Sequence, residues 1–198
     1  MARAEDLRVQ RTKKLIQQAF YECVKEKGFE KTTVSDIAKK AMINRATFYL
    51  HYQDKMDLLR CLEEEVLSDI EKIFQPATRE YIQVCREKGV PFPHIVELLS
   101  YVQEKAEFFI LMVRYNVDSS FFKKMSAHIY HRIFQVLFPE LKSKELLVHY
   151  AQNILVAVFS SIVDQWIETG MQESKEEIAM LMTKMGLSLL ASFQSDLS

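Results

Sequence analysis

Between Arg8 and Lys27 the apolar residues Leu15, Ile16, Ala19, Phe20, Cys23 and Val24 recur at steps of three and four, the spacing that gathers side chains on one face of an α-helix. Gly28 follows where a left-handed cap ends such a helix. In the next stretch, FEKTTVSDIAKKAM, Thr33 suits an N-cap and Asp36 stands three residues on, an acidic variant of the capping box. A short helix is predicted from about Val34 to Ala41, with Val34, Ile37 and Ala38 turned inward. Asn44 is a second N-cap, and Arg45 to His51 reads as another short helix anchored by Phe48.

Beyond Lys55, the run Met56, Leu58, Leu59, Leu62, Val66, Ile70, Ile73 continues one long helix, which Pro76 ends. A further helix reaches about Lys88 and stops at Gly89, and VPFPH is a loop because each proline forbids helix at its predecessor. Helices are then predicted over about 92–104, 105–115, 118–137, 144–170 and 174–193, with breaks at Asp118, Pro139 and Gly170. No repeat of 20–50 residues is visible. The fold class is therefore all-α, with a three-helix head over 1–54 and a six-helix body over 55–198.

Composition narrows the class. Of 198 residues 48% are hydrophobic and 27% charged, with only four Gly and four Pro, which suits a mostly helical globule. The longest apolar run, Ile154 to Ile167, is interrupted by Ser160, Ser161, Asp164 and Gln165 and falls short of the roughly 20 residues of a membrane span. Met1 to Leu7 is polar and charged, unlike a secretory signal, so a cytoplasmic location and no membrane partner are expected. Cys23, Cys61 and Cys85 are odd in number and widely spaced, which argues for packed thiols over disulfides or zinc.

Charge is divided unevenly. Over residues 1–55 twelve Lys and Arg face seven Asp and Glu, a balance of +5, whereas the remainder carries fourteen against twenty, a balance of −6. A positive head on a negative body suits a polyanion touched at one end. Helix, tight turn, helix of this size is the helix-turn-helix unit, whose second helix lies in the DNA major groove. Arg45, Thr47, Tyr49 and His51 can lie outward there, within reach of base edges or phosphates, and Lys55 falls in the first turn of the next helix.

The segment TTVSDIAKKAMINRATFYLHYQDKMDLL, with the preceding AFYECVKEKGFEK, resembles the DNA-binding domain of the TetR family of transcriptional regulators. The likeness covers roughly residues 8–60 and rests on the Thr-Thr start, the Ile-Ala pair, the Thr-Phe-Tyr core, Tyr52 and Lys55. One departure is Met42, where the family usually has Gly; Met at a positive backbone angle costs on the order of 1 kcal/mol. The resemblance implies a DNA-facing set of Thr33, Arg45, Ala46, Thr47, Tyr49, His51 and Lys55. Thr33 would meet a phosphate, Arg45 and Thr47 bases or backbone, Tyr49 and His51 phosphates or groove edges, and Lys55 the backbone. Each has a blander alternative that weighs less in this constellation: Tyr49 packed mainly on neighbouring helices, and His51, Arg45 and Lys55 as solvated surface groups.

The resemblance also implies a body that binds a small molecule and dimerises through its last two helices. Independently, Leu155, Val156, Val158, Phe159, Ile162, Val163, Trp166 and Ile167 cover more than one face of their helix, which calls for burial on most sides and so for a second subunit. Phe92, Phe108, Phe109, Met112, Tyr115, Phe121, Phe122, Met125, Tyr130 and Phe134 give the body's middle the aromatic and Met content of an apolar ligand site, although each singly fits a core as well. Phe108, Met112, Tyr115, Phe122, Met125, Phe159 and Trp166 form the candidate pocket, for a small apolar or amphipathic effector. His128 and His131 lack a third ligand at matching spacing, so no metal and no cofactor are expected.

Catalysis has no sequence support: Gly-x-Ser-x-Gly, a phosphate-binding glycine loop and His-Glu-x-x-His are all missing. A helical adaptor without DNA affinity would have no reason to collect Thr33, Arg45, Thr47, Tyr49 and Lys55 in its head. The expected function is a ligand-responsive repressor binding a palindromic operator as a homodimer, with an activator or co-activator of the same fold as the alternative.

Overall fold

A computed structural model describes residues 2–76, 78–115, 117–118, 120–125 and 145–195. Among these residues every regular element is helical: α1 (Ala2–Lys27), α2 (Val34–Lys40), α3 (Arg45–Tyr49), α4 (Lys55–Phe74), α5 (Arg79–Lys88), α6 (Pro93–Glu104), α7 (Ala106–Arg114), α8 (Glu145–Glu168) and α9 (Lys175–Ser195). Residues 121–125 are also helical; the rest of the helix expected at 118–137, with His128, Tyr130, His131, Phe134 and the break at Pro139, lies outside the described residues.

Most boundaries fall within a residue or two of the sequence expectation, and α1 is the exception. It begins at Ala2 rather than near Arg8, because the opening residues are good helix formers but carry no apolar stripe to advertise them. α6 starts at Pro93, where a missing N–H costs nothing.

Three helices end in the same way, with a left-handed residue followed by a pair of backbone hydrogen bonds. After α5, Gly89 (φ 62°) donates to the Arg86 carbonyl at 3.3 Å and Val90 to that of Cys85 at 3.1 Å. After α8, Gly170 (φ 83°) donates to Ile167 at 3.1 Å and Met171 to Trp166 at 2.7 Å. After α2 the left-handed position is filled by Met42 (φ 54°), which donates to Lys39 at 3.2 Å while Ile43 donates to Ala38 at 3.0 Å. The backbone of the turn keeps its shape despite the unsuitable residue.

The chain divides into two compact units. The first comprises Met1–Glu65 with Ile110–Asp118. Its core takes Ile16, Phe20 and Val24 from α1, Ile37 from α2, Phe48 from α3 and Leu58 from α4. Each of them is fully buried, and α2 packs on both α1 and α3. Ion pairs fasten the outside: Lys27 reaches Asp36 at 2.5 Å, and Lys40 reaches both Glu22 and Glu26. Tyr52 is buried here, and that burial pushes its phenol up to about 12.

The second unit comprises Val66–Phe109 with Ser119–Ser198, and α9 packs on α6 and α8. Ile178, Ala179, Met182 and Thr183 form the buried face of α9. The Thr183 hydroxyl accepts the Phe92 N–H at 3.1 Å, satisfying the backbone donor of the residue that precedes α6 and tying that end to α9. Gly186 lets α8 come close, since a Cβ there would stand 3.2 Å from Cζ of Phe159. The Trp166 indole N–H donates to the Glu173 carbonyl at 3.0 Å and closes the α8–α9 turn.

A stripe of apolar and small residues is exposed in this unit. On α8 it is Tyr150, Ile154, Ala157 and Ser161, spaced four, three and four; on α9 it is Leu181, Met185 and Ser188, spaced four and three. Of the residues that suggested a second subunit, Leu155, Val163, Trp166 and Ile167 are instead buried within the unit, and Val158, Phe159 and Ile162 are half-buried. No described helix is long and apolar enough to cross a membrane.

Candidate nucleic-acid interface

Thr33 caps α2 in a closed box: its backbone N–H donates to Asp36 Oδ2 at 2.9 Å, its hydroxyl donates to the same oxygen at 2.5 Å, and the Asp36 N–H returns to Thr33 Oγ1 at 3.2 Å. Lys27, and then Thr33, hold the Asp36 carboxyl well below the usual carboxylate range. Thr33 therefore lies exposed with its proton committed and a lone pair left over.

Asn44 opens α3 by accepting the Ala46 N–H on Oδ1 at 2.8 Å. Phe48 drives α3 into the core and meets Tyr52 and Tyr49 at ring-centroid distances of 5.7 Å each. Tyr49 is nevertheless 50% exposed, so its ring packs on Phe48 on one side and faces solvent on the other. Arg45 lies one turn before it and donates from Nη2 to the Tyr49 hydroxyl at 3.3 Å, with its guanidinium 6.0 Å from the ring centroid. Arg45 and Tyr49 thus form one exposed polar ridge. Thr47 is half-buried, as is His51, whose imidazole is pushed below its ordinary value by burial and then by Lys13.

Lys55 behaves differently from the rest. Its ammonium donates to the backbone carbonyls of Phe29 at 2.8 Å and Glu30 at 3.0 Å, and lies 4.5 Å from the Phe29 ring centroid. One N–H is left for a phosphate.

At 100° per residue, Ala46 and the C-cap Leu50 sit about 160° from Phe48 on either side, which makes them the outermost positions of α3 and its cap. Both are exposed, Leu50 at 81%. Leu50 was not among the residues singled out from the sequence. Its signal was available in the i, i+4 pairing with Ala46 on the side opposite the anchor. Exposed Arg8, Arg11, Lys13 and Lys14 on α1 add positive charge to the same unit.

The candidate pocket residues are shared between the two units. Met112 and Tyr115 belong to the first unit, where the half-exposed Tyr115 donates from its hydroxyl to the Lys25 carbonyl at 3.5 Å. Phe108, Phe122, Met125, Phe159 and Trp166 belong to the second. There Phe108 stacks edge-on against Phe121 at 5.1 Å, and Phe121 against Phe122 at 5.5 Å. Cys23, Cys61 and Cys85 are free thiols. No group of three or more His, Cys, Asp or Glu among the described residues is placed to hold a metal ion.

Comparison with known proteins agrees with this geometry. A profile of bacterial regulatory proteins of the tetR family matches residues 16–62, and one for a transcriptional regulator C-terminal region matches residues 90–187. The chain is 41% identical over 66 residues to the HTH-type transcriptional regulator YxbF of Bacillus subtilis, and 42% identical over 53 residues to YvdT of the same organism. The matches span 17% and 27% of the length of those relatives and 33% and 27% of this chain.

Among solved structures, the dihydroxyacetone kinase operon activator DhaS aligns over 92% of this chain and 96% of its own, with a TM-score of 0.56 at 21% identity. FadR of Bacillus subtilis, solved in complex with stearoyl-CoA, aligns over 88% and 97%, with a TM-score of 0.62 at 19% identity. At such identities the likeness is one of fold. With the tetR profile lying over the helix-turn-helix and a regulator profile over the body, on an all-helical fold shared nearly end to end, the chain belongs to the TetR family of DNA-binding transcriptional regulators.

Proposed function

We propose that this regulator is a cytoplasmic homodimer that holds two heads on a two-fold symmetric operator and releases it when a small molecule binds the body. Residues 1–54 read DNA through Thr33, Arg45, Ala46, Thr47, Tyr49, His51 and Lys55, and residues 55–198 bind the effector and the partner subunit. The observation that carries the dimer is the uncovered stripe on α8 and α9. Ile154, Leu181 and Met185 are large apolar side chains on adjoining helices, and Ala157, Ser161 and Ser188 between them are small enough for a second pair of helices to approach. A two-fold dimer suits half-sites about 34–36 Å apart.

Light scattering on the full chain tests this. The wild type is expected to be a dimer, and Leu181→Asp with Met185→Asp a folded monomer with much weaker operator binding. A monomeric wild type overturns the reading.

The effector is an apolar or amphipathic small molecule, supported by the aromatic and Met content of the body and by FadR, which has this fold and was solved with stearoyl-CoA. Effector and operator then weaken each other's binding by the same factor. Long-chain acyl-CoA is the first probe, and an effector that binds free and DNA-bound protein equally overturns the release mechanism. A second reading, activation of transcription, has the DhaS likeness in its favour. Deleting the gene distinguishes the two, because target transcription rises if the protein represses and falls if it activates.

A further inference from the structure

We infer that Ala46 and Leu50 read thymine, through its C5-methyl group, in the major groove of each operator half-site. The inference rests on the DNA-binding reading of the head and goes beyond it by naming the base and the residues.

Leu50 does nothing for the fold, since it is 81% exposed while Phe48 supplies the buried anchor of α3. Single exposed apolar residues are common, so the placement of Leu50 and not its exposure carries the argument. Ala46 on α3 and Leu50, its C-cap with helical backbone angles, are four residues apart and point away from Phe48, so they form one outer ridge, the part that goes deepest when a recognition helix enters a groove. The flanking ridge of Arg45 and Tyr49 is polar and already joined by its own hydrogen bond. The outer ridge carries no side-chain donor or acceptor.

In the major groove the four bases offer amines, carbonyls and ring nitrogens, and thymine alone offers a methyl. An apolar ridge gains from the methyl and leaves any other base edge dehydrated without a partner. Ala46 is short enough for the helix to approach closely, and Leu50 has the reach to cover the methyl.

The test uses the full-length protein and a duplex selected from a random pool. Each thymine of the selected site is replaced singly by deoxyuridine, which removes the methyl and nothing else from the groove edge. Wild type is expected to lose about fourfold in affinity per methyl at one or two positions in each half-site. Leu50→Ala should bind the thymine site more weakly and be indifferent to deoxyuridine at those positions, whereas Leu50→Met should keep the penalty. If the wild type selects a site but tolerates every deoxyuridine, or if Leu50→Ala retains the full penalty, the inference fails while the DNA-binding head stands. If no duplex is selected at all, both fall.

Discussion

Lys55 spans the first unit to Phe29: its ammonium accepts no role as a free surface charge but donates to the Phe29 carbonyl at 2.8 Å while lying 4.5 Å from the centre of that residue's ring. Together with the bond to Glu30, this fastens the start of α4 to the turn between α1 and α2. The lysine expected at a phosphate is therefore also a strut within the head.

Lys55→Ala should accordingly destabilise the protein in the absence of DNA, by about 1–2 kcal/mol for two charge-assisted hydrogen bonds and a cation–π contact. Thermal unfolding of DNA-free protein checks this, and an unchanged Tm would overturn the strut.

Met42 occupies a position that Gly89 and Gly170 fill at two other helix ends. A left-handed L-residue costs about 1–2 kcal/mol, against about 0.5–1 kcal/mol for the extra chain entropy of glycine. Met42→Gly should therefore raise stability by up to about 1 kcal/mol, and Met42→Val should lower it by at least about 1 kcal/mol, because a branched Cβ fits the left-handed region worst. Met42 is 89% exposed, so neither change disturbs a core. Chemical denaturation measures both.

The reverse substitution gives a matched expectation. A Cβ at Gly89 or Gly170 meets nothing within 4 Å, so Gly→Ala at either isolates the backbone cost. Each should lose about 1 kcal/mol in the same denaturation assay. A stabilised Gly89→Ala would contradict the left-handed geometry.

His51 has an imidazole held below its ordinary value by burial and by Lys13. For the free protein the unfolded chain then binds the extra proton more readily, so stability falls as pH drops from the unfolded value through the lower folded one. If His51 meets a DNA phosphate as proposed, that phosphate acts in the opposite direction by favouring the imidazolium, so protonation would accompany binding and affinity should increase severalfold as pH falls over that same window. His51→Gln should flatten both slopes. Anisotropy titrations at constant ionic strength, from pH 7.5 downward, separate this from general salt effects.

Asp164 carries the buried oxygen Oδ1 without a hydrogen-bond partner, and burial, then the nearby Glu168, raises its carboxyl. A folded value above the unfolded one means that the native state holds the proton longer. Stability should therefore decline as pH rises through this window, and the charged carboxylate should weigh on the fold above it. Asp164→Asn should abolish that decline and stabilise the protein at pH 8 by about 1 kcal/mol. Melting curves at pH 5 and pH 8 decide it.

What was legible in the sequence was local. Thr33 and Asp36 are three residues apart and form the predicted box, and Phe48 is the predicted anchor, whereas the turn at Met42, open to rearrangement on its sequence, keeps the left-handed angle. What was hidden depends on partners far along the chain. The carbonyls that Lys55 holds lie 25 and 26 residues before it, and backbone atoms leave no trace in residue identity. Leu50 escaped because an apolar residue in a two-turn helix reads as core until the anchor's direction is known. The pocket set was drawn from composition, which carries no information on the unit to which a residue belongs.

Trp166 is the single tryptophan of the chain, and its indole is buried and tied to the Glu173 carbonyl. The emission excited at the red edge of protein absorbance therefore arises at one address in the body, while the head contributes tyrosine alone. Effector titrations and unfolding of the α8–α9 turn can be watched optically without a label, and any phase that leaves the indole spectrum unmoved belongs elsewhere in the protein.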